Sequence, residues 1–269
     1  MTTLELREVV KEYRLRSGLR HSTLRAVDDV SFTLEPGRTT ALVGQSGSGK
    51  STVAKLLLRL ERPTSGRILL DGKNLPERGT AGRAYRGAVQ MVFQDPFASL
   101  NPYHTVAHHL ARPVTLHHPG LGRTAVLDRV HELLARVRLD PVEEFAQRRP
   151  HELSGGQRQR VAIARALAPA PGILIADEPV SMLDVSIRLG VLNLLSELQR
   201  EEQLGVLYIT HDLATARHFS DEILVMYRGS VVERGPADDV ILDPQHEYTK
   251  LLRAAAPDPE RRLRELAGP

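Results

Sequence analysis

The stretch Thr39-Thr40-Ala41-Leu42-Val43-Gly44-Gln45-Ser46-Gly47-Ser48-Gly49-Lys50-Ser51-Thr52 decides how this chain folds. Residues 39–43 carry no charge and follow the turn signal Pro36-Gly37, as a buried strand would. Residues 44–51 satisfy G-x4-G-K-[ST] in full, and Thr52 to Leu60 continues with Leu56, Leu57 and Leu60 spaced for one side of a helix. Strand, glycine-rich loop and helix form the context in which this pattern cradles phosphate. Its glycines let backbone N–H groups approach phosphate oxygens, and Lys50 reaches the β and γ phosphates. The Ser51 hydroxyl is placed for Mg2+, and the helix N-terminus favours the anion. Gly44, Gln45, Ser46, Gly47, Ser48, Gly49, Lys50, Ser51 and Thr52 are the candidate nucleotide-binding residues.

Such a loop needs a carboxylate at the end of a neighbouring strand. Ile173-Leu174-Ile175-Ala176-Asp177-Glu178 supplies two, after an apolar run suited to a strand covered on both faces. Asp177 is the candidate for the Mg2+ shell, and Glu178, one residue on, is free to polarise water. Outward from these motifs, Val30, Phe32 and Leu34 alternate with polar residues, Ile68-Leu69-Leu70 ends at Asp71-Gly72, and residues 89–93 form a further strand candidate. Over 98–152 the texture changes to short helical patterns punctuated by Pro102, Pro113, Pro119, Pro141 and Pro150, the clearest running from Val126 to Val137. Strand then alternates with helix again: 172–176, 185–201, 206–210 and 222–227. The pattern predicts an α/β fold with a mostly parallel core sheet, an N-terminal antiparallel β portion and an inserted α-helical unit.

Kinases and GTPases share the first two motifs, so a third is needed to separate families. Leu153-Ser154-Gly155-Gly156-Gln157 precedes RQRVAIARAL, in which Val161, Ala164 and Leu167 recur at helical spacing. Ser154 is a good N-cap, and a glycine pair at a helix start exposes backbone donors at the positive dipole end. That is a second anion site. Because residues 44–51 already satisfy their own phosphates, its natural target is a γ-phosphate held on another subunit.

GQSGSGKST, LSGGQRQR, ILIADEP, SMLD and ITHD stand in an order that resembles the ABC transporter ATPase family over nearly the whole chain. The resemblance implies two ATPase subunits closing head to tail, with ATP and Mg2+ between the phosphate loop of one and the Ser154–Gln157 signature of the other. It implies that Tyr13 stacks on adenine and that Gln94 links Mg2+ and the attacking water to the transmembrane contact. It also implies that Asp184 crosses to the opposite site and that His211 senses the γ-phosphate. Lys50, Gln94, Glu178 and His211 are then the catalytic set, with Ser51, Gln94 and Asp177 as Mg2+ ligands. Met182 stands where a small residue is more usual. The P-loop cassette would occupy 1–245, with its helical subdomain inserted at about 98–168, and 246–269 would be a C-terminal extension and tail.

Phe93-Gln94-Asp95-Pro96-Phe97-Ala98-Ser99-Leu100-Asn101-Pro102 narrows the resemblance to the importers of dipeptides, oligopeptides and nickel, some of which carry oligosaccharides. DVSIRLGVLNLL at 184–195 and HEYTKLLRAAAPDP at 246–259 agree. The implied partners are a second, distinct ATPase subunit, two permeases and an extracytoplasmic solute-binding protein, with this chain peripheral at the cytoplasmic membrane face. Permease loops would dock on the helices inserted at 98–152. A soluble ABC ATPase outside transport and an exporter subunit are the competing classes, and the solute stays open.

Composition sets the limits. With no Cys among 269 residues, thiolate catalysis, disulfides and the iron–sulfur cluster often held by the family's C-terminal extension are excluded. A formal charge of +3 leaves no nucleic-acid footprint, so no nucleic-acid partner is expected. The start MTTLELREVV lacks a leader's basic-then-apolar layout. The basic run from Arg14 to His21 reads as a solvated hairpin loop, and His104, His108 and His109, spaced for a metal but with no carboxylate or base beside them in a zinc-protease pattern, are not expected to hold one.

Overall fold

The computed structural model describes residues 2–17, 20–74 and 80–255. The first sheet pairs β1 (Leu4–Ser17) antiparallel with β2 (Arg20–Leu34). The chain then crosses through β3 (Thr39–Val43) and α1 (Lys50–Leu57) and returns as β4 (Ser65–Leu70) and β5 (Lys73–Asn74), giving the order β2-β1-β4-β5. After α2 (Thr80–Ala88) come β6 (Val89–Val92), α3 (Pro96–Ser99), α4 (Val106–His117), α5 (Arg123–Arg136), α6 (Val142–Gln147) and α7 (Gly155–Leu167). The remainder is β7 (Ile173–Asp177), α8 (Val185–Glu202), β8 (Gly205–Thr210), α9 (Leu213–Phe219), β9 (Glu222–Tyr227), β10 (Ser230–Pro236), α10 (Ala237–Leu242) and α11 (Glu247–Ala255). The second sheet has six strands in the order β10-β9-β3-β8-β7-β6, parallel throughout except for β10 against β9.

Alternation along these strands divides the apolar residues between two cores. Leu42, Ile173, Ile175, Leu207, Ile209, Leu224 and Met226 face the first sheet and α1, meeting Leu4, Leu6, Val30, Phe32 and Leu56. Ala41, Val43, Leu174, Ala176, Val206, Tyr208 and Val225 face the other way, into a cluster with Val161, Leu167, Leu195 and the helices around Val130 and Leu134. A strand buried on both faces has no polar side to show, which is why residues 39–43 and 173–176 read as unbroken neutral or apolar runs.

Three expectations need correction. The helix after the phosphate loop ends at Leu57, not Leu60, because Arg59 takes a left-handed conformation (φ 56°) and turns the chain. Leu60 is 69% exposed as a result, at the rim of a groove of about 530 Å³ lined by Arg59, Arg62, Tyr85 and Arg86. Pro113 lies inside α4 rather than at a boundary; Leu110 and Val114, both fully buried, hold the helix together across it. The basic segment is strand rather than loop, since Arg14 pairs with Thr23 and Ser17 with Arg20, while residues 18 and 19 lie outside the described ones. Most of the expected C-terminal tail, from 256 on, also lies outside them.

Candidate active site

Parallel strands deliver their carboxyl ends to one edge, where ligands of open α/β sheets bind. β3 delivers the phosphate loop, β7 Asp177 and Glu178, β8 His211, and β6 Gln94. Register aligns them: Val43 lies beside Thr210, Asp177 beside Ile209, and Val92 beside Ala176.

The loop closes on its supports so tightly that two positions require glycine. A Cβ on Gly44 would sit 2.3 Å from the Met226 carbonyl oxygen, and one on Gly49 (φ 113°) 2.4 Å from the Ala26 carbonyl oxygen. Gly229 donates its N–H to the Ser48 carbonyl at 2.9 Å, fixing the far side of the loop. Lys50 is buried, and its Nζ donates to the carbonyl oxygens of Gly44 at 2.5 Å and Gln45 at 2.9 Å. Burial pushes the Lys50 ammonium down, against the attraction of Glu178 and Asp177. Burial raises the Asp177 carboxyl, the charge of Glu178 adds to the rise, and Lys50 opposes it.

Both oxygens of Glu178 are engaged. His211 Nδ1 lies 2.9 Å from Oε1, and Gln94 Nε2 donates to Oε2 at 3.0 Å. Glu178 itself is left-handed (φ 44°), a conformation costly for a side chain with a Cβ. Its N–H bonds to Ile209 O, and its carbonyl accepts both the N–H and the hydroxyl of Ser181. The structure therefore brings Lys50, Asp177, Glu178, Gln94 and His211 into one cluster.

The signature lies on other supports. Ser154 caps α7, accepting the Gln157 N–H at 3.3 Å, while the Gln157 side chain accepts the Ser154 N–H at 2.9 Å, a reciprocal capping box. Cβ atoms on Gly155 and Gly156 would lie 3.4 Å from Leu183 and 2.7 Å from Ile187, so the signature packs against the SMLD loop and α8. Asp184 stands at the N-cap of α8 without a side-chain capping bond, Met182 is 54% exposed, and Arg188 ties the loop by donating to Leu183 O at 2.8 Å. Tyr13 lies on β1 opposite Leu24, with Lys11 Nζ 4.9 Å from its ring centre. It shares the hairpin with Ala26, the residue that roofs Gly49. His104 and His108 stack at 3.9 Å, and His109 Nε2 meets Asn101 O at 3.0 Å.

Sequence reasoning missed two members of this neighbourhood. Ser181 accepts from Gln94 at 3.4 Å while bonding the Glu178 carbonyl, and Tyr248 of α11 receives the Gln45 N–H at 3.0 Å. Both stand inside stretches quoted above, SMLD and HEYTKLL, but the partners that make them site residues are brought near only by the tertiary fold.

A model of the ABC transporter family matches residues 27–181. The chain is 48% identical over 240 residues to the oligopeptide transport ATP-binding protein OppF of Bacillus subtilis, covering 88% of this chain and 78% of that one. It is 48% identical over 265 residues to the glutathione import ATP-binding protein GsiA of Salmonella typhimurium, covering 96% of this chain and 42% of the longer relative. Among solved structures it is similar to the dimeric ATP-binding cassette MJ0796 bound to ADP and Pi (TM-score 0.75, 31% identity, 87% of this chain and 98% of that one). It is also similar to cbiO1 of Clostridium perfringens, part of the transporter complex cbiONQ (TM-score 0.78, 26% identity, 98% of both chains).

Proposed function

We propose, from the premise that this chain belongs to the ABC transporter family as one of its ATP-binding subunits, that it hydrolyses ATP to power the import of oligopeptides or a related peptide-like solute. The cluster of Lys50, Asp177, Glu178, Gln94 and His211 at a single sheet edge is what supports hydrolysis here. The triphosphate lies along residues 44–52, on loop N–H groups and the N-terminus of α1, with Lys50 drawn to the β and γ phosphates. Tyr13 stacks on the adenine from the hairpin that covers the loop.

The Ser51 hydroxyl, the Asp177 carboxylate and the Gln94 amide oxygen are hard donors of the kind Mg2+ prefers, and they fit that ion. Gln94 uses its amide nitrogen on Glu178, which leaves the oxygen for the cation. Bound there, Mg2+ neutralises phosphate charge. Glu178 accepts a proton from the water whose oxygen attacks the γ-phosphorus, and the bond from that phosphorus to the β,γ-bridging oxygen breaks to release ADP and phosphate. His211 holds one Glu178 oxygen through Nδ1 and keeps Nε2 for the γ-phosphate.

Ser154, Gly155, Gly156, Gln157 and Asp184 serve the ATP of a second, similar but distinct ATPase subunit. Two permeases and an extracytoplasmic binding protein complete the importer, with this chain peripheral at the cytoplasmic face. Among its described residues no helix is long and apolar enough to cross a membrane. The cassette spans 1–245 with a helical subdomain at about 98–168, and 246–269 is the extension.

Glu178→Gln is the direct test. It keeps the side chain's size and one accepting oxygen but cannot take a proton, so ATP binding should persist while turnover falls by about 100-fold or more, the range of general-base removal. Phosphate release near the wild-type rate would end the assignment of Glu178 as base.

A further inference from the structure

The phosphate loop is held from behind by an element that the nucleotide chemistry does not use. Tyr248 lies in the first turn of α11, is only 7% exposed, and packs its ring on Tyr227 with centres 4.2 Å apart. Its hydroxyl accepts the Gln45 N–H at 3.0 Å. That N–H belongs to the same peptide unit as the Gly44 carbonyl, which accepts Lys50 Nζ at 2.5 Å. A single peptide plane is thus gripped at both ends, by the lysine ammonium on one side and by a phenol on the other. Hydrogen bonds in series polarise one another, so each strengthens its neighbour. The Gln45 carbonyl also accepts Lys50 and the Ser48 N–H, which makes this residue the hub of the loop.

The helix carrying Tyr248 is itself fixed. Glu233 of β10 accepts the N–H groups of Gln245 (2.7 Å) and His246 (3.1 Å), and His246 Nδ1 accepts the Tyr248 N–H at 3.1 Å. Tyr227, on which the ring rests, directly follows Met226, the residue whose carbonyl abuts Gly44. Two routes therefore join α11 to the loop, one through the Tyr248 hydroxyl and one through the end of β9.

We propose that Tyr248 is a positioning residue of the phosphate loop, and that through it the docking of α11 is energetically linked to nucleotide binding; this rests on residues 44–52 being the ATP site. The hydroxyl sets the Gly44–Gln45 peptide plane, and with it the direction of the carbonyl to which Lys50 is anchored. Because coupling between two sites is reciprocal, ATP held in the loop steadies α11 as much as α11 steadies the loop.

The test uses the full chain. Tyr248→Phe removes one oxygen and keeps the ring on Tyr227. Its dissociation constant for Mg-ATP, measured by calorimetry, should rise about three- to tenfold, the worth of one hydrogen bond. In the assembled transporter KM for ATP should rise by a similar factor with kcat within about twofold, a split that a general loss of stability would not give. Adding ATP should slow amide exchange across 247–255 in the wild type, and clearly less in Tyr248→Phe. Lys50→Ala runs alongside: if it binds ATP normally, the site itself is misassigned. If Lys50→Ala loses ATP while Tyr248→Phe binds it like the wild type, the positioning role is wrong and the ATP site stands. Wild-type exchange over 247–255 that is indifferent to ATP would overturn the linkage even if the variant failed to fold.

Discussion

Asp177 and Lys50 are pushed towards their neutral forms by one cause, burial at the bottom of the phosphate loop, and the consequences run in opposite senses with pH. For Asp177 the folded pKa lies above the unfolded value. Between the two the native state holds more protons, so stability falls as pH rises through that window and stays reduced above it. Wherever Asp177 is ionised its buried charge lowers stability, and the cation proposed above would offset that loss. Asp177→Asn should therefore raise the melting temperature of the nucleotide-free chain while abolishing Mg2+-dependent hydrolysis. Melting at pH 7 checks this, and a lower melting temperature would show that the carboxylate supports the fold. For Lys50 the folded pKa lies below the unfolded one. Stability then rises with pH between those values, while ATP affinity falls as the ammonium is lost.

The start of α7 shows what a sequence reveals of an element and what it withholds. Ser154 with Gln157 three residues on is a local signal, and the structure builds the capping box from it. The buried parallel strands were equally legible, because a strand covered on both faces leaves a continuous neutral run in the chain. Arg59 was not legible, since a left-handed stop without glycine leaves no compositional mark, and Leu60 was misplaced with it. The contacts of Ser181 and Tyr248 were not legible for a different reason, as their partners lie on elements that only the tertiary fold brings near. The glycine pair had a local explanation as an anion site, yet Gly156 also serves packing: a Cβ there would meet Ile187 Cγ2 at 2.7 Å. Gly156→Ala should lower the melting temperature by about 2–4 °C, in keeping with ~1 kcal/mol of overpacking. Ile187→Ala opens that space, so the double variant should lose less than the two single losses combined. Additive losses in a double-mutant cycle would mean that α7 and α8 do not press on each other there.

Within the whole molecule the phosphate loop and the signature have separate supports. Met226, Gly229, Ala26 and Tyr248 brace the loop, whereas Leu183 and Ile187 brace Gly155 and Gly156. The signature packs with the SMLD loop and α8, and on the function proposed above its target is a γ-phosphate held by a second subunit. Placing a negative charge at that helix start separates the two jobs of the chain. Gly155→Asp adds a carboxylate where the dipole favours an arriving phosphate, and its Cβ has room, 3.4 Å from Leu183. Such a chain should bind ATP in its own loop with a dissociation constant within about twofold of the wild type, because residues 44–52 are untouched. In the assembled transporter, however, the site its signature completes should lose most of its turnover, about 50-fold or more, as removal of a transition-state donor does. If the proposed pairing holds, Glu178→Gln with ATP should sediment as a pair with its ATPase partner, and adding Gly155→Asp to the same chain should abolish that pair. Retained turnover in Gly155→Asp would place the signature outside the reacting site. Lost ATP binding in the isolated chain would instead place it within the chain's own nucleotide pocket.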